Sequence, residues 1–400
     1  MAIVIQPYRQ EHESAVQAFN GRLQTSSGDP NFVFSQTAIP RWLPPANSNP
    51  VWNEFYVAVE ASSKASWPRE SLPKEIARAG NSPVRGAYAL KQEAIFIRGK
   101  GLQRIACYHH PLSEGIVDRS LASIGVLLAR DALARQPLLY ALGMGGMERP
   151  IAKMLRALSF SLTPIPFYFR VVRPVRFFRE MQALRSEPWR AALMNIAAAT
   201  GAGWLAIKSA QGAASLKSGS SSPATDSTTE VDVEFSDWAD ELWNQAKESV
   251  SFATVRDAST LRLLYPTNFS SNIASTRRLR ISRNGSAIGW AIIGQRRKDP
   301  KFGEMRVGSI VDCWAAPENA PTVIRAATRA LERDGVDLIV SNQSHHAWCG
   351  ALEKAGFLKG PSTFIFAASK KLTELLQPLK ESPQPFHITR ADGDGLPVNF

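Results

Sequence analysis

Two short stretches of the sequence contain, or directly follow, a side chain that could take a proton from a substrate. They are CYHHP at Cys107–Pro111 and CWAAP at Cys313–Pro317. An unperturbed imidazole titrates near neutral pH, so His110 could accept a proton from an amine directly. The carboxylate of Asp312, directly before the second stretch, would usually work through a water. These two residues are the candidate general bases of the chain.

Strand alternation adds a partner to each candidate base. Alternation puts His110 in phase with Tyr108, and Asp312 in phase with Trp314, so Tyr108 and Trp314 are candidate substrate contacts. The alternative is that His109 and His110 are structural, because His109-His110 is a poor metal motif and hydrogen-bonded structural histidines are common. No metal site is predicted.

Further polar residues follow the two stretches. Glu114 and Asp118, within PLSEGIVD, could bind an amino or hydroxyl substrate, or could cap the following helix. In SNQSHH (Ser341–His346), Asn342 could bind a substrate at a strand end. A strand-to-helix turn with Ser344 as N-cap is an alternative interpretation of the same sequence.

The elements that follow the two stretches repeat in the same order. Each stretch is followed by a helical pattern, an apolar run and a second helical pattern. In the first copy these are Leu121–Leu133, Pro137–Leu142 and Ile151–Leu158, and in the second they are Pro321–Arg333, Val336–Val340 and Ala347–Ala355. This agreement predicts an internal duplication.

The residues around the repeats indicate where each copy begins. Asn284-Gly285 between extended runs is a strong hairpin signal, and FSDWADELWNQA has a helical apolar face. The Ser/Thr-rich Lys217–Glu230 is typical of a flexible linker. We therefore expect a first module over residues 1–180, a helical connection and linker over 181–231, a second module over 232–372 and a tail over 373–400.

The order of elements resembles that of a known family. Antiparallel strands followed by strand–helix–strand–helix–strand predict an α/β fold with a mixed, mostly antiparallel sheet in each copy. The chain resembles two tandem modules of the GNAT (Gcn5-related N-acetyltransferase) family over residues 1–175 and 232–372. ALEKAGF (Ala351–Phe357) is similar to the family's helix that ends in YEKxGF, and MLRALSF (Met154–Phe160) is a weaker version.

The resemblance implies acetyl-CoA or another acyl-CoA as co-substrate, bound where the fourth and fifth strands splay apart. The family's phosphate-binding loop, aligned on Gly125, places Ser120 and Ser123 at loop positions and Arg119 within reach of a phosphate. The second copy, AAPENAPTVI, has no glycine there. The family's tyrosine acid is replaced by Leu155 in the first copy and by Leu352 in the second.

Composition limits the function classes. The 400 residues are 44% apolar, enough for two cores, and the net charge is +12. Residues 1–220 hold 26 basic and 14 acidic side chains, whereas residues 221–400 hold 21 of each. The basic half favours an acidic ligand, although a solvated basic surface is equally consistent. Three cysteines without a CxxC pair indicate reduced thiols, inert where a strand buries them.

The sequence also bears on localisation. The first residues lack a signal-peptide pattern, so we expect a cytoplasmic protein. Ala191–Ile207 predicts a buried or interfacial helix, and peripheral membrane contact is an alternative because six arginines precede it: Arg170, Arg173, Arg176, Arg179, Arg185 and Arg190.

Three functions fit these observations. The first is an acyl-CoA-dependent N-acyltransferase acting on an amine-bearing acceptor, for which a cell-surface or polysaccharide precursor is a candidate. The second is a Fem-like peptidyltransferase that uses aminoacyl-tRNA, a nucleic-acid partner consistent with the missing glycines and the positive charge. The third is a non-catalytic module of surface-polymer assembly, suggested by the two replaced tyrosines.

Overall fold

The chain folds into two β-sheets with helices on their faces. The structure is a computed structural model that describes residues 2–27, 33–40, 42–43, 49–61, 83–181, 202–217, 227–266, 274–299, 302–377 and 386–393. The predicted α/β class with two mixed, mostly antiparallel sheets is confirmed.

The first sheet contains the strands β1 (Ile3–Pro7), β2 (Trp52–Glu60), β3 (Val84–Ile97), β4 (Gly101–Ser113), β5 (Leu139–Gly143), β6 (Ser161–Pro164), β9 (Phe252–Thr254) and β15 (Ile365–Ala368). Its order is β1-β2-β3-β4-β5-β15-β6, and β9 pairs with the end of β3. Only β4 and β5 are parallel neighbours; every other pair is antiparallel.

The second sheet contains β7 (Phe167–Val171), β8 (Ser227–Val231), β10 (Ala274–Arg283), β11 (Ser286–Asp299), β12 (Gly303–Ala315), β13 (Leu338–Asn342) and β14 (Leu358–Gly360). Its order is β14-β7-β13-β12-β11-β10-β8, with β12 and β13 parallel. The β10–β11 turn is the predicted hairpin: Asn284 and Gly285 have φ of 50° and 78°, which this two-residue turn requires.

The described helices are α1 (Glu13–Ser27), α2 (Ser123–Arg135), α3 (Pro150–Ala157), α4 (Pro174–Glu180), α5 (Ala202–Lys217), α6 (Asp237–Ala246), α7 (Ala258–Leu264), α8 (Ala320–Arg333), α9 (His346–Lys354) and α10 (Lys370–Leu376). In the first sheet α2 and α3 pack on one face and α1 on the other. In the second sheet α8 and α9 pack on one face, and α6 and α7 on the other.

The two halves of the chain exchange one strand each. β7, from the first half, lies between β13 and β14 of the second sheet. β15, from the second half, lies between β5 and β6 of the first sheet. Each half therefore completes the other's sheet, and separating residues 1–180 from 232–372 would remove a strand from both.

Some predicted segments differ from the structure. Ser227–Glu230, the end of the predicted linker, is not a flexible segment: it belongs to β8, which pairs with β10. Residues 218–226 lie outside the described residues. The predicted helix at 191–207 overlaps α5 from Ala202 onward, while 191–201 also lie outside them. No helix in the described ranges is long and apolar enough to cross a membrane.

Several arginines before this helix are paired with acids. Arg170 contacts Glu332 at 3.0 Å, and Arg173 and Arg176 both contact the buried Asp337 at 3.3 Å. These three ion pairs therefore hold β7 and α4 against the neighbouring elements of the second sheet. Arg185 and Arg190 are outside the described part of the chain.

Candidate active site

The parallel strands β4 and β5 separate early. Their pairing is limited to Ala106 with Leu139 and Cys107 with Tyr140, although β4 continues to Ser113. We call the space between the two strands beyond these pairs the first gap. Within the described ranges, no other segment is paired between the two strands in this gap.

A β-bulge changes the direction of the His110 side chain. Ala87 pairs with Leu112 and Ala89 with His109, so β4 has one extra residue, and His110 has φ of 50°. The bulge breaks strand alternation. Tyr108 packs under α2, whereas the His110 ring lies 6.2 Å from Phe34, in the core beneath α1. The predicted common phase of Tyr108 and His110 is wrong for this reason.

The hydroxyl of Tyr108 is a buried donor on the α2 face of the first sheet. It has no hydrogen-bond partner among the described residues. Burial, and to a lesser extent the carboxylate of Asp131, raise the pKa of Tyr108 well above its ordinary value. Tyr108 is therefore neutral, with an O–H that is available as a donor among the described residues.

The predicted phosphate site lies where the chain enters α2. Arg119 and Ser120 are exposed in a short 3₁₀ turn before the helix, and Ser123 is its first residue. The Asp118 carboxylate caps the turn, accepting hydrogen bonds from the Ser120 amide at 2.9 Å and its hydroxyl at 2.7 Å. These bonds lower the pKa of Asp118. Asp118 thus caps the 3₁₀ turn and not α2, whose N-cap is Ala122, and the Asp118 carboxylate lies where the phosphate was expected.

Gly125 is inside the first turn of α2. A Cβ built there would meet only Met154 Sδ, at 3.7 Å, which is ordinary contact. The described packing therefore leaves room for a Cβ here.

Glu114 is closed off from the gap by two arginines. It is 3% exposed and accepts from Arg22 and from Arg85, the latter at 2.8 Å. The pairs tie α1 and β3 to the turn after β4, so the described geometry places Glu114 in a structural ion pair.

In the second sheet the corresponding gap is filled. Pairing of β12 with β13 ends at Ile310 with Ser341, and we call the space beyond it the second gap. The segment Phe386–Thr389 lies there. Ser344 N donates to Ile388 O at 3.1 Å, and Ile388 N donates to the Ser344 hydroxyl at 2.7 Å.

Side chains of the segment complete the closure of the second gap. His387 Nε2 is 3.0 Å from Cys313 O, and Thr389 bridges to Gln343 and donates from Oγ1 to Asp312 at 3.0 Å.

The candidate residues of the second copy are buried in this packing. Asp312 accepts from Arg256 and from the Tyr265 hydroxyl at 2.7 Å. Trp314 Nε1 donates to Leu242 O at 3.1 Å, and Asn342 Nδ2 to Pro166 O at 3.4 Å. The fold does not bring Asp312 together with His110, because the two residues belong to different sheets.

The two stretches CYHHP and CWAAP do lie on strands with the same place in their sheets, β4 and β12. Their registers differ. Cys107 belongs to the last parallel pair, but Cys313 lies three positions beyond Ile310, where pairing ends. The bulge of the second copy also lies earlier, at Ile310–Asp312. The duplication is thus one of elements, without residue-by-residue equivalence at the gap.

A buried charged network joins the halves, and the sequence did not predict it. Arg256 is 1% exposed and contacts Asp312 at 3.1 Å and Asp392 at 3.0 Å. Lys91 Nζ lies 3.3 Å from Glu93 and donates to Asp392 O at 3.0 Å. Two charged residues inside the apolar run YALKQEAIFI were the available signal.

Two buried histidines beside the second gap have depressed pKa values. Burial, with a smaller effect of His346, lowers the pKa of His345 to about 4. Burial and then Arg256 lower the pKa of His387. His345 Nδ1 accepts from the Ala347 amide at 3.3 Å, as the N-cap of α9.

We expect stability to fall as the pH drops below 6.5. The unfolded histidines take up protons near pH 6.5 and the folded ones only at lower pH, so stability is full above 6.5 and is lost toward pH 4, by up to about 1.4 kcal/mol per pH unit for each histidine. His345→Asn keeps an N-cap acceptor and removes one titration. Urea unfolding between pH 7 and 4 should show a shallower loss in His345→Asn than in His346→Asn. Equal slopes would contradict the assignment.

Comparisons with known proteins found distant structural similarities and no match in sequence. No family model and no curated protein sequence matches the chain. Among solved structures, a tandem GNAT protein from the clavulanic acid biosynthesis pathway is 13% identical, with a TM-score of 0.45 over 92% of this chain and 98% of that one. A GCN5-related N-acetyltransferase from Anabaena variabilis is 11% identical, with a TM-score of 0.47 over 92% of this chain and 72% of that one.

Saccharomyces cerevisiae N-myristoyltransferase with bound myristoyl-CoA is also similar, at 9% identity and a TM-score of 0.48 over 92% of this chain and 78% of that one. These are similarities of architecture at low identity. The strand order itself has the α/β class expected from the sequence, with one parallel pair in each mixed sheet.

Proposed function

We propose that the chain is an acyl-CoA-dependent N-acyltransferase whose acyl thioester lies in the first gap. One observation carries this proposal: the two equivalent gaps differ, since the second is filled by Phe386–Thr389 and the first has no described segment paired within it. An extended amide-containing arm can lie along a strand edge as an added strand does. The first module thus becomes the cofactor-binding module.

Tyr108 and His110 would divide the chemistry in the first gap. The Tyr108 hydroxyl, buried and without a described partner, would donate to the thioester carbonyl oxygen as negative charge develops there. His110, turned to the α1 face by the bulge, would accept the proton of the attacking amine. The C–N bond forms, the C–S bond breaks, and the thiolate leaves.

The leaving thiolate would have no tyrosine to protonate it. Leu155 and Leu352, which stand at the family's tyrosine positions, are both fully buried. The proton held by His110, or one from water, would then neutralise the sulfur, and a slow turnover follows from the missing acid.

The phosphate end of the cofactor gives the first test. Gly125→Glu puts a negative charge in the first turn of α2 at a position where a Cβ meets only ordinary contact, so affinity for acetyl-CoA should be lost; an unchanged urea midpoint checks that the fold is kept. Asn319→Glu, at the corresponding start of α8, should leave affinity unchanged. Asp118→Asn removes the carboxylate on the Ser120 amide and should strengthen binding about two- to fivefold.

Isothermal titration calorimetry with acetyl-CoA and a longer acyl-CoA measures all three variants. Equal acyl-CoA affinity in wild type and Gly125→Glu would exclude the first gap as the acyl-CoA site. A loss of acyl-CoA affinity in Asn319→Glu alone would place the cofactor in the second module.

A further inference from the structure

A basic groove runs along the second sheet, away from both gaps. It lies between α8 and the edge strand β8, and its cavity volume is about 190 Å³. The helix wall holds three arginines at four-residue spacing, Arg325, Arg329 and Arg333. Four residues of helix rise about 6 Å, so the three guanidinium groups stand in a row over roughly 12 Å.

The strand wall of the groove is uncharged. Ser227, Thr229 and Val231 face it, together with Thr322 from the helix. Alternation turns Glu230 to the other face of β8. The wall opposite the arginines therefore supplies hydroxyl groups that can donate to an anion, and no described carboxylate lines the groove.

The acidic residues closest in sequence are engaged elsewhere. Asp334, next to Arg333, pairs with Arg277, and Glu332 pairs with Arg170 at 3.0 Å. Arg325 donates to Pro321 O at 3.3 Å, within its own helix. Arg329 and Arg333 are exposed and have no ion pair with a described acid. The positive charge of the groove is thus not compensated by the part of the chain that the structure describes.

The same place in the first module is built differently. There Ile3 and Ile5 of β1 pack against the apolar core under α2, and Arg135 pairs with Asp131 at 2.7 Å and lies over Tyr56. In the first module, apolar packing and a neutralised arginine hold the edge strand against the helix. In the second module, the facing strand and helix present hydroxyl groups and uncompensated arginines, which packing of the strand on the helix does not need.

We propose that this groove binds a small ligand with two or more phosphate groups, at a site separate from the acyl-CoA site. Guanidinium groups recognise phosphate oxygens with paired hydrogen bonds, and three in a row match a chain of phosphates. A nucleic-acid interface makes roughly six to ten phosphate contacts, more than three arginines in a concave groove supply. A compact polyphosphate is therefore the better match.

The probe is inorganic tripolyphosphate, titrated calorimetrically into the full chain at low salt. Arg329→Ala/Arg333→Ala should weaken its binding roughly tenfold or more, because two charge-assisted contacts are lost. Both side chains are exposed, so the urea midpoint should not change. The control is Arg130→Ala, which removes an exposed arginine from α2 and should bind as wild type does.

Acetyl-CoA binding separates this site from the acyl-CoA site. It should persist in the double arginine variant and be lost in Gly125→Glu, while tripolyphosphate binding should show the opposite pattern. No binding of tripolyphosphate to wild type, or equal binding to the double variant, overturns the proposal. A single-stranded RNA oligonucleotide, or vesicles containing phosphatidic acid, could bind more tightly than tripolyphosphate and lose that binding in the double arginine variant. This result would overturn the proposal of a small ligand in favour of RNA or of a membrane surface.

Discussion

Arg256→Ala should lower the free energy of unfolding by about 3–5 kcal/mol, because removing the cation leaves the buried carboxylates of Asp312 and Asp392 without their partner. Burial opposes the charge of Arg256, but the two carboxylates raise its pKa, so it is a cation in the folded state. Urea unfolding measures the loss.

Arg130→Ala, at an exposed position, should change stability by less than about 1 kcal/mol. If Arg256→Ala does not fold, Asp392→Asn keeps the shape and removes one charge, and its destabilisation can be measured instead. A loss below about 1 kcal/mol in both variants would show that the network does not hold the C-terminal segment against the two sheets.

His110→Asn should lower kcat by roughly 10²–10⁴-fold with little change in acyl-CoA affinity, because the proton is removed in the transition state and not during cofactor binding. Asparagine is the better replacement than alanine, since it tolerates the positive φ of the bulge. The assay is release of the CoA thiol from acetyl-CoA with an amino sugar as acceptor.

His109→Ala is the matched control from the neighbouring position and should retain turnover. Normal turnover in His110→Asn, together with loss in a folded Asp312→Asn, would move the chemistry to the second module. A loss in His109→Ala equal to that in His110→Asn would mean that the bulge geometry, and not the imidazole, is responsible.

The sequence alone was sufficient for features that depend on local pattern. The hairpin at Asn284-Gly285 follows from a turn chemistry that two residues carry. The helices after each gap follow from apolar periodicity, and the buried thiols of Cys107 and Cys313 from their place in apolar strands. The duplication was visible because the order of elements is a property of the chain.

Other features depended on which segments meet. The strand exchange of β7 and β15 could not be predicted, because either strand has the composition to complete either sheet. The bulge at His110 reversed a phase that alternation had assigned. Pro111, within the bulge, was the available signal, because proline inside a paired strand is found at bulges.

The tertiary structure alone decided that the second gap is filled. Nothing in the residues Phe386–Thr389 indicates that they enter the second gap, because their hydrogen bonds to Ser344 and Cys313 join positions far apart in sequence. The charges of Arg256, Asp312 and Asp392 are tolerable inside the protein only because the fold brings them together. Local pattern thus determined the elements, while contacts between distant segments determined the site.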